Sequence, residues 1–152
     1  QSIALQTMGK DPAKETRELT DIEWAYLAGI VDGEGSITAS SNGQDRIRVS
    51  VTSTSRSLID WMVARVGGSV CNRRPASPKH KPTYGWEVSY VKANSFLRGV
   101  LPYLLIKARH AELALQFSDT MHAHVEVTDE IKSFRRWVVR QIKRMNRRGP
   151  VV

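Results

Sequence analysis

The residues best placed to do chemistry are two carboxylates two positions apart, Asp32 and Glu34, with Gly33 between them and Gly35 behind. They close a stretch of apolar and small residues at helical spacing, so they fall where a helix C-terminus carries partial negative charge. That position disfavours each acid by roughly 0.3 to 1 kcal/mol unless a cation compensates. A divalent metal would do so, and the permissive glycine backbone leaves carbonyl oxygens such as that of Gly33 free beside Glu34 as further oxygen donors. Other chemistries lack their residues. Cys71 is the lone cysteine, no Cys or His cluster has zinc-ligand spacing, and no Gly-rich phosphate loop or Ser-His-Asp order stands out. His110, His122 and His124 read as a solvated helix end.

The element that must position the acids is a helix opening at Thr20, which as N-cap pairs with Glu23 in a capping box. Leu19 and Trp24 supply the matching hydrophobic staple. Trp24, Leu27, Ile30 and Val31 form its apolar positions, and Ala28 with Gly29 leaves one face almost bare, so a second helix can approach closely there. Gly33 and Gly35 are expected to end it.

Two strands follow at once, 36–40 and 46–52, joined by the turn cluster Ser41, Asn42, Gly43 and Gln44. In the second, Ile47, Val49 and Val51 share one face, and Arg46, Arg48, Ser50 and Thr52 the other. One face suits a core; the cationic, hydroxyl-rich one suits a polyanion. An amphipathic helix over 57–66 ends at Gly67 and Gly68 and leads into a second hairpin, with strands 69–74 and 84–91 around a basic loop holding Lys79, His80 and Lys81. Arg73 continues the cationic face. The pattern puts Trp86, Val88 and Tyr90 on a core face.

Composition agrees with a polyanionic partner: 152 residues carry a net charge of +8, with 41% hydrophobic residues and a pI near 10. That fits one domain with a sizeable core and a basic surface, and nucleic acid is the usual partner of such a surface. The longest apolar run, residues 24–31, is far too short to span a bilayer, and neither a membrane association nor a signal peptide is expected. Residues 1–18 read as a polar, disordered arm, 19–148 as the domain and 149–152 as a tail. The expected location is intracellular, in a bacterial cytoplasm or an organelle.

The nine residues Leu27, Ala28, Gly29, Ile30, Val31, Asp32, Gly33, Glu34 and Gly35 resemble the motif of the LAGLIDADG homing endonucleases, with conservative changes. The resemblance implies an α+β fold, αββαββα, with a saddle-shaped antiparallel sheet. It makes Glu34, the second acid of the motif, the catalytic metal ligand, where the family more often has Asp, and Mg²⁺ the expected cofactor. Residues 101–107 resemble the segment that carries a family active-site lysine, which makes Lys107 the second site residue, suited to stabilising charge on a scissile phosphate. A further polar residue, often Gln, stands near the end of the family's second strand; here that stretch holds only Thr52 to Ser55 and Arg56.

Because the chain holds one copy of the motif, the resemblance implies a homodimer packed through the motif helices, with contacts at Leu27, Ala28, Gly29 and Asp32. It further implies cleavage of a long pseudo-palindromic double-stranded DNA site, leaving short 3′ overhangs, with Ser36, Thr38, Ser40, Asn42, Arg46, Arg48 and Arg73 as DNA contacts. An ungapped comparison would set Tyr84 and Trp86 against the DNA, in conflict with the core pattern. An intron maturase binding intron RNA on the same fold and a non-cleaving DNA-binding regulator are the alternatives. The last helix, capped near Thr128, carries Ile131, Phe134, Val138, Ile142 and Met145 at helical spacing amid eight Lys and Arg residues from Lys132 to Arg148, suited either to DNA backbone contact or to packing by its apolar stripe with the charges solvated.

Overall fold

The structure is a computed structural model that describes residues 18–41, 43–73, 75, 77–121 and 126–147. Most of the arm, the tail, Asn42, His122, His124 and Arg148 lie outside the described residues. The elements run α1 (Asp21–Glu34), β1 (Gly35–Ser40), β2 (Arg46–Ser53), α2 (Arg56–Val66), β3 (Ser69–Arg73), β4 (Thr83–Ser89), α3 (Tyr90–Val100), a 3₁₀ turn (Leu101–Tyr103), α4 (Ala108–Asp119) and α5 (Asp129–Asn146). The expected αββαββα order is present, extended by two further helices. One antiparallel sheet has the order β1-β2-β4-β3.

Alternation divides the sheet as its sequence dictates. Ile37, Ala39, Ile47, Val49, Val51, Trp86 and Val88 are buried toward the helices. Trp86 settles the register of β4: it faces the core, fully buried, in cross-strand register with Val51 and Val70, and its indole N–H donates to the Gly67 carbonyl at 2.7 Å. Tyr84 lies on the same side, packed against the core, so neither ring is presented to a partner of the outer face. Tyr90 departs from the expected core face. The strand ends at Ser89, and Tyr90, at φ 55°, reverses the chain directly into α3 with its side chain exposed.

α1 is nucleated as its sequence demands. The Thr20 hydroxyl accepts from the Glu23 N–H and the Glu23 carboxylate from the Thr20 N–H, both at 3.1 Å. Glu23 also holds Arg65 of α2, at 2.6 Å. Trp24 packs on Phe96 and onto Gly99 of α3, where any Cβ would collide with the indole, and Phe96 in turn meets Trp86 with ring centroids 5.1 Å apart. This aromatic chain ties α1 through α3 to the sheet.

The end of α1 corrects one expectation. The helix runs on through Gly33 and Glu34 and stops at Gly35, because the Gly35 N–H still reaches the Val31 carbonyl. Gly33 costs helix stability without breaking the ladder. Gly35 is required for space: a Cβ there would lie 2.7 Å from Val31 Cα and 2.8 Å from its carbonyl oxygen. With no loop between them, helix and strand make one rigid corner, and Glu34 sits on it.

Candidate nucleic-acid interface and hydrolytic site

The two acids of the corner have different surroundings. The Asp32 carboxylate accepts backbone N–H groups from Leu105, Ile106 and Lys107 at 2.8, 3.2 and 2.9 Å, and Lys107 Nζ donates to the Asp32 carbonyl at 2.9 Å. Burial would raise this carboxyl, but those N–H groups and the Lys107 charge outweigh it and hold it below the ordinary aspartate value. Compensation at Asp32 therefore comes from the segment preceding α4, with no metal required. Within the chain, Asp32 anchors that segment to the end of α1.

Glu34 is exposed, and among the described residues its carboxylate makes no hydrogen bond or ion pair. It is the free acid of the pair. One of the last-turn carbonyls is taken by Lys107; that of Gly33 belongs to the same turn, whose carbonyls lack intrahelical partners. No group of three His, Cys, Asp or Glu side chains able to hold a metal occurs among the described residues. The donor set is thus one carboxylate with neighbouring backbone oxygens. It fits magnesium, which commonly takes one or two carboxylates and completes its shell with water and phosphate oxygens.

Lys107, half-buried at the N-terminus of α4, is brought to the same helix end as Glu34 by its bond to Asp32. His110, one turn on, is buried rather than solvated, and among the described residues its Nδ1 has no partner. Burial, and then the Lys107 charge, depress its pKa against the opposing effect of a hydrogen bond that its ring N–H donates to the Asn146 side chain.

The outer face of the sheet begins next to Glu34. Cross-strand register assembles rows of Ser40 with Arg46, Thr38 with Arg48 and Ser89, Ser36 with Ser50, Glu87 and Ser69, and Thr52 with Gly85 and Cys71. Ser36, Thr38, Ser40, Arg46 and Arg48 thus share one surface. Arg73 pairs with Thr83 at the end of β3. Sequence reasoning missed Glu87, a carboxylate in the middle of this face, 3.5 Å from the Arg48 guanidinium; period-2 alternation from Trp86 would have found it once that register was fixed. In the stretch where the family's polar residue is expected, Ser53 and Ser55 hydroxyls serve the turn and cap of α2, and Thr52 faces outward.

The expected subunit contact needs correction as well. Leu27 and Ala28 are fully buried inside the chain, packed in the core, so no surface remains for a partner. Gly29 stays on the open side of α1, where a Cβ would meet nothing within 4 Å, as at Gly33. The open side also carries Ala25, Tyr26 and Ile22, the last 82% exposed.

Comparison with known proteins places these features in a class. Residues 21–98 match the family model of the LAGLIDADG-like domain, so the chain belongs to that family. Its fold is similar to that of the homing endonuclease I-CvuI, solved in complex with its target in the presence of calcium, at a TM-score of 0.69 and 20% identity over 87% of both chains. It is also similar to the archaeal intron-encoded homing endonuclease I-Vdi141I, solved with DNA, at a TM-score of 0.69 and 17% identity over 85% of this chain and 87% of that one. The I-LtrWI LAGLIDADG homing endonuclease, bound to target DNA, matches at 0.61 and 19% identity, with 93% of this chain aligned to 51% of that one. No curated protein matches the chain in sequence. Among the described residues no helix is long and apolar enough to cross a membrane.

Proposed function

We propose that the chain is a site-specific homing endonuclease, acting as a homodimer on a pseudo-palindromic double-stranded DNA target and leaving short 3′ overhangs. The observation that carries this reading is the inequality of the two acids: Asp32 is held by three N–H donors, while Glu34 is exposed and, among the described residues, unpartnered where the outer sheet face begins. A free carboxylate beside a basic, hydroxyl-rich sheet is what a phosphodiester hydrolase needs.

Each part of the chain then has a task. The outer rows lie in the major groove, where base edges are distinguishable, with Arg46 and Arg48 as donors. Lys107 places a fixed positive charge at the corner, suited to the negative charge that develops on the scissile phosphate. Glu34 and the Gly33 carbonyl would hold Mg²⁺, which when bound supplies water activation and charge neutralisation. Gly29, on the open face of α1, lets two copies of the helix approach closely, so that one Glu34 per subunit serves each DNA strand.

The test is to incubate the protein with a library of randomised DNA duplexes in Mg²⁺, with a Ca²⁺ control, and to sequence the ends. Pseudo-palindromic cuts in Mg²⁺ alone, abolished in Glu34→Gln with binding retained, are expected. Cleavage by Glu34→Gln would overturn the role of Glu34. Retention without cutting would leave a DNA-binding regulator, and neither cutting nor retention on a library covering the site would favour intron RNA.

A further inference from the structure

Among the described residues, arginines differ in whether a carboxylate meets them, and Arg46, on the outer face of β2, has none within 4 Å. Outside α5, those at 48, 56, 65 and 98 lie within 4 Å of a carboxylate, as does Arg109, and within α5 the buried Arg135 holds Asp45 at 2.7 Å. Arg136, Arg140 and Arg144 of α5, its capping residue Arg147, Lys132 and Lys143 have no carboxylate within 4 Å among the described residues.

These six cations are not spread around the helix. At 100° per residue they occupy a sector of roughly 120°, shared with Asp129 of the first turn, while the adjoining flank, from Trp137 through Gln141 and Phe134 to Met145, carries Glu130 as its one charged side chain. A helix charged only for solubility has no reason to gather its cations in one sector. Phe134 and Trp137 stack there at 6.0 Å.

The placement of α5 aims the basic flank. Arg135 donates to Asp45 at the start of β2 and, through Nε and Nη2, to Thr120 Oγ1 and its carbonyl. One end of α5 is thereby fixed at the β1–β2 turn. Near the other end, Asn146 Nδ2 donates to the Ile37 carbonyl at 2.9 Å, so the helix runs beside β1. Lys132 and Arg136 then line, with Ser41 and Asp45, one concavity of about 280 Å³ at that turn. The basic flank is continuous with the hairpin that bears Ser40 and Arg46.

We propose that this flank of α5 holds the phosphate backbone of the DNA duplex whose bases the sheet reads, as a sequence-independent clamp. The inference rests on the reading of the sheet given above and adds an element with six cations that have no ion-pair partner among the described residues. Each Lys or Arg that neutralises a phosphate releases condensed counterions and steepens the salt dependence of binding by about 0.9.

The test compares two double variants of equal net charge on a short random-sequence duplex: Arg136→Gln with Arg140→Gln, and, as control, Lys92→Gln with Arg109→Gln. All four positions are exposed, and Gln preserves helix propensity, which circular dichroism and thermal unfolding verify. The α5 variant is expected to bind more weakly, with the slope of log K against log salt reduced by about 2. The control slope stays unchanged, and the base preferences selected from a randomised library remain those of the parent. An α5 variant that behaves like the control, or one that changes base preference, overturns the clamp. A parent protein that retains no duplex overturns the endonuclease reading itself.

Discussion

Lys107 grips Asp32 twice, with its backbone N–H on the carboxylate and its Nζ on the carbonyl, both at 2.9 Å. Through this pair the first turn of α4 is fastened to the last turn of α1, and the lysine proposed for chemistry is positioned by the acid that is not. The two functions are separable. Asp32→Asn is expected to destabilise the fold by about 2 kcal/mol, as bonds to a charged acceptor become neutral ones, measured by urea unfolding. Lys107→Met is expected to leave duplex retention nearly intact and to lower cleavage by at least 100-fold, in line with the loss of a preorganised charge. Full cleavage by Lys107→Met would remove it from the site.

Gly29 and Gly35 make opposite demands. Gly35→Ala forces a Cβ onto Val31 backbone atoms that cannot yield, and a loss of about 1 to 3 kcal/mol is expected in thermal or urea unfolding. Gly29→Ala meets open space and removes a helical glycine, for an expected gain of up to about 1 kcal/mol in the isolated subunit. Sedimentation of the same Gly29→Ala protein should show weakened self-association. An unchanged dimer would move the contact elsewhere.

Arg48 and Glu87 together give a specificity test. Arg48→Ala is expected to relax preference at one base position per half-site, at a cost of about 1 to 3 kcal/mol there. Glu87→Gln should alter the same or an adjacent position while strengthening duplex binding, because it removes a negative charge from the outer face; the exposed pair itself contributes little to stability. Identical selection profiles for parent and both variants would refute the assignment of this face.

The buried His110 sets a pH dependence of defined sign. Its pKa in the fold lies below the ordinary 6.5, so below that pH the unfolded chain binds a proton that the folded chain refuses. Stability contributed by neutral His110 is complete above 6.5 and declines as pH falls from there toward the depressed value. The acids act lower. Glu23, held at about 2 by hydrogen bonds from Arg65 first and the Thr20 N–H second, loses its contribution only as pH falls from 4.5 toward 2. Urea midpoints between pH 7.5 and 5 should therefore drop for the parent and flatten for His110→Gln.

How much of this was legible in the sequence depends on how far each partner lies along the chain. The Thr20–Glu23 box, the alternation of β2 and the acidic corner are local, and each stands where its residues predict. Asp32 misled because its donors begin 73 positions away at Leu105, so a compensated acid looked like one awaiting a cation. Ala28 and Gly29 are neighbours separated by 100° on the helix; no periodicity among small residues could say which of them faced the core. Tyr84 and Trp86 carried two incompatible readings, and only pairing with β2 and β3 chose between them. Arg135, one basic residue among many in α5, was indistinguishable from its exposed neighbours until Asp45, 90 positions distant, was found against it.

The loopless passage from Glu34 to Gly35 sets a limit on how this protein can change over evolutionary time. Side chains in β1 alternate with a period of two, so a single residue inserted or deleted at that corner would exchange Ser36, Thr38 and Ser40 with Ile37 and Ala39 across the sheet. The lineage can retune its recognition surface by substitution, one outward position at a time. Changes of length are confined to places such as the segment between β3 and β4, where no parity has to be kept.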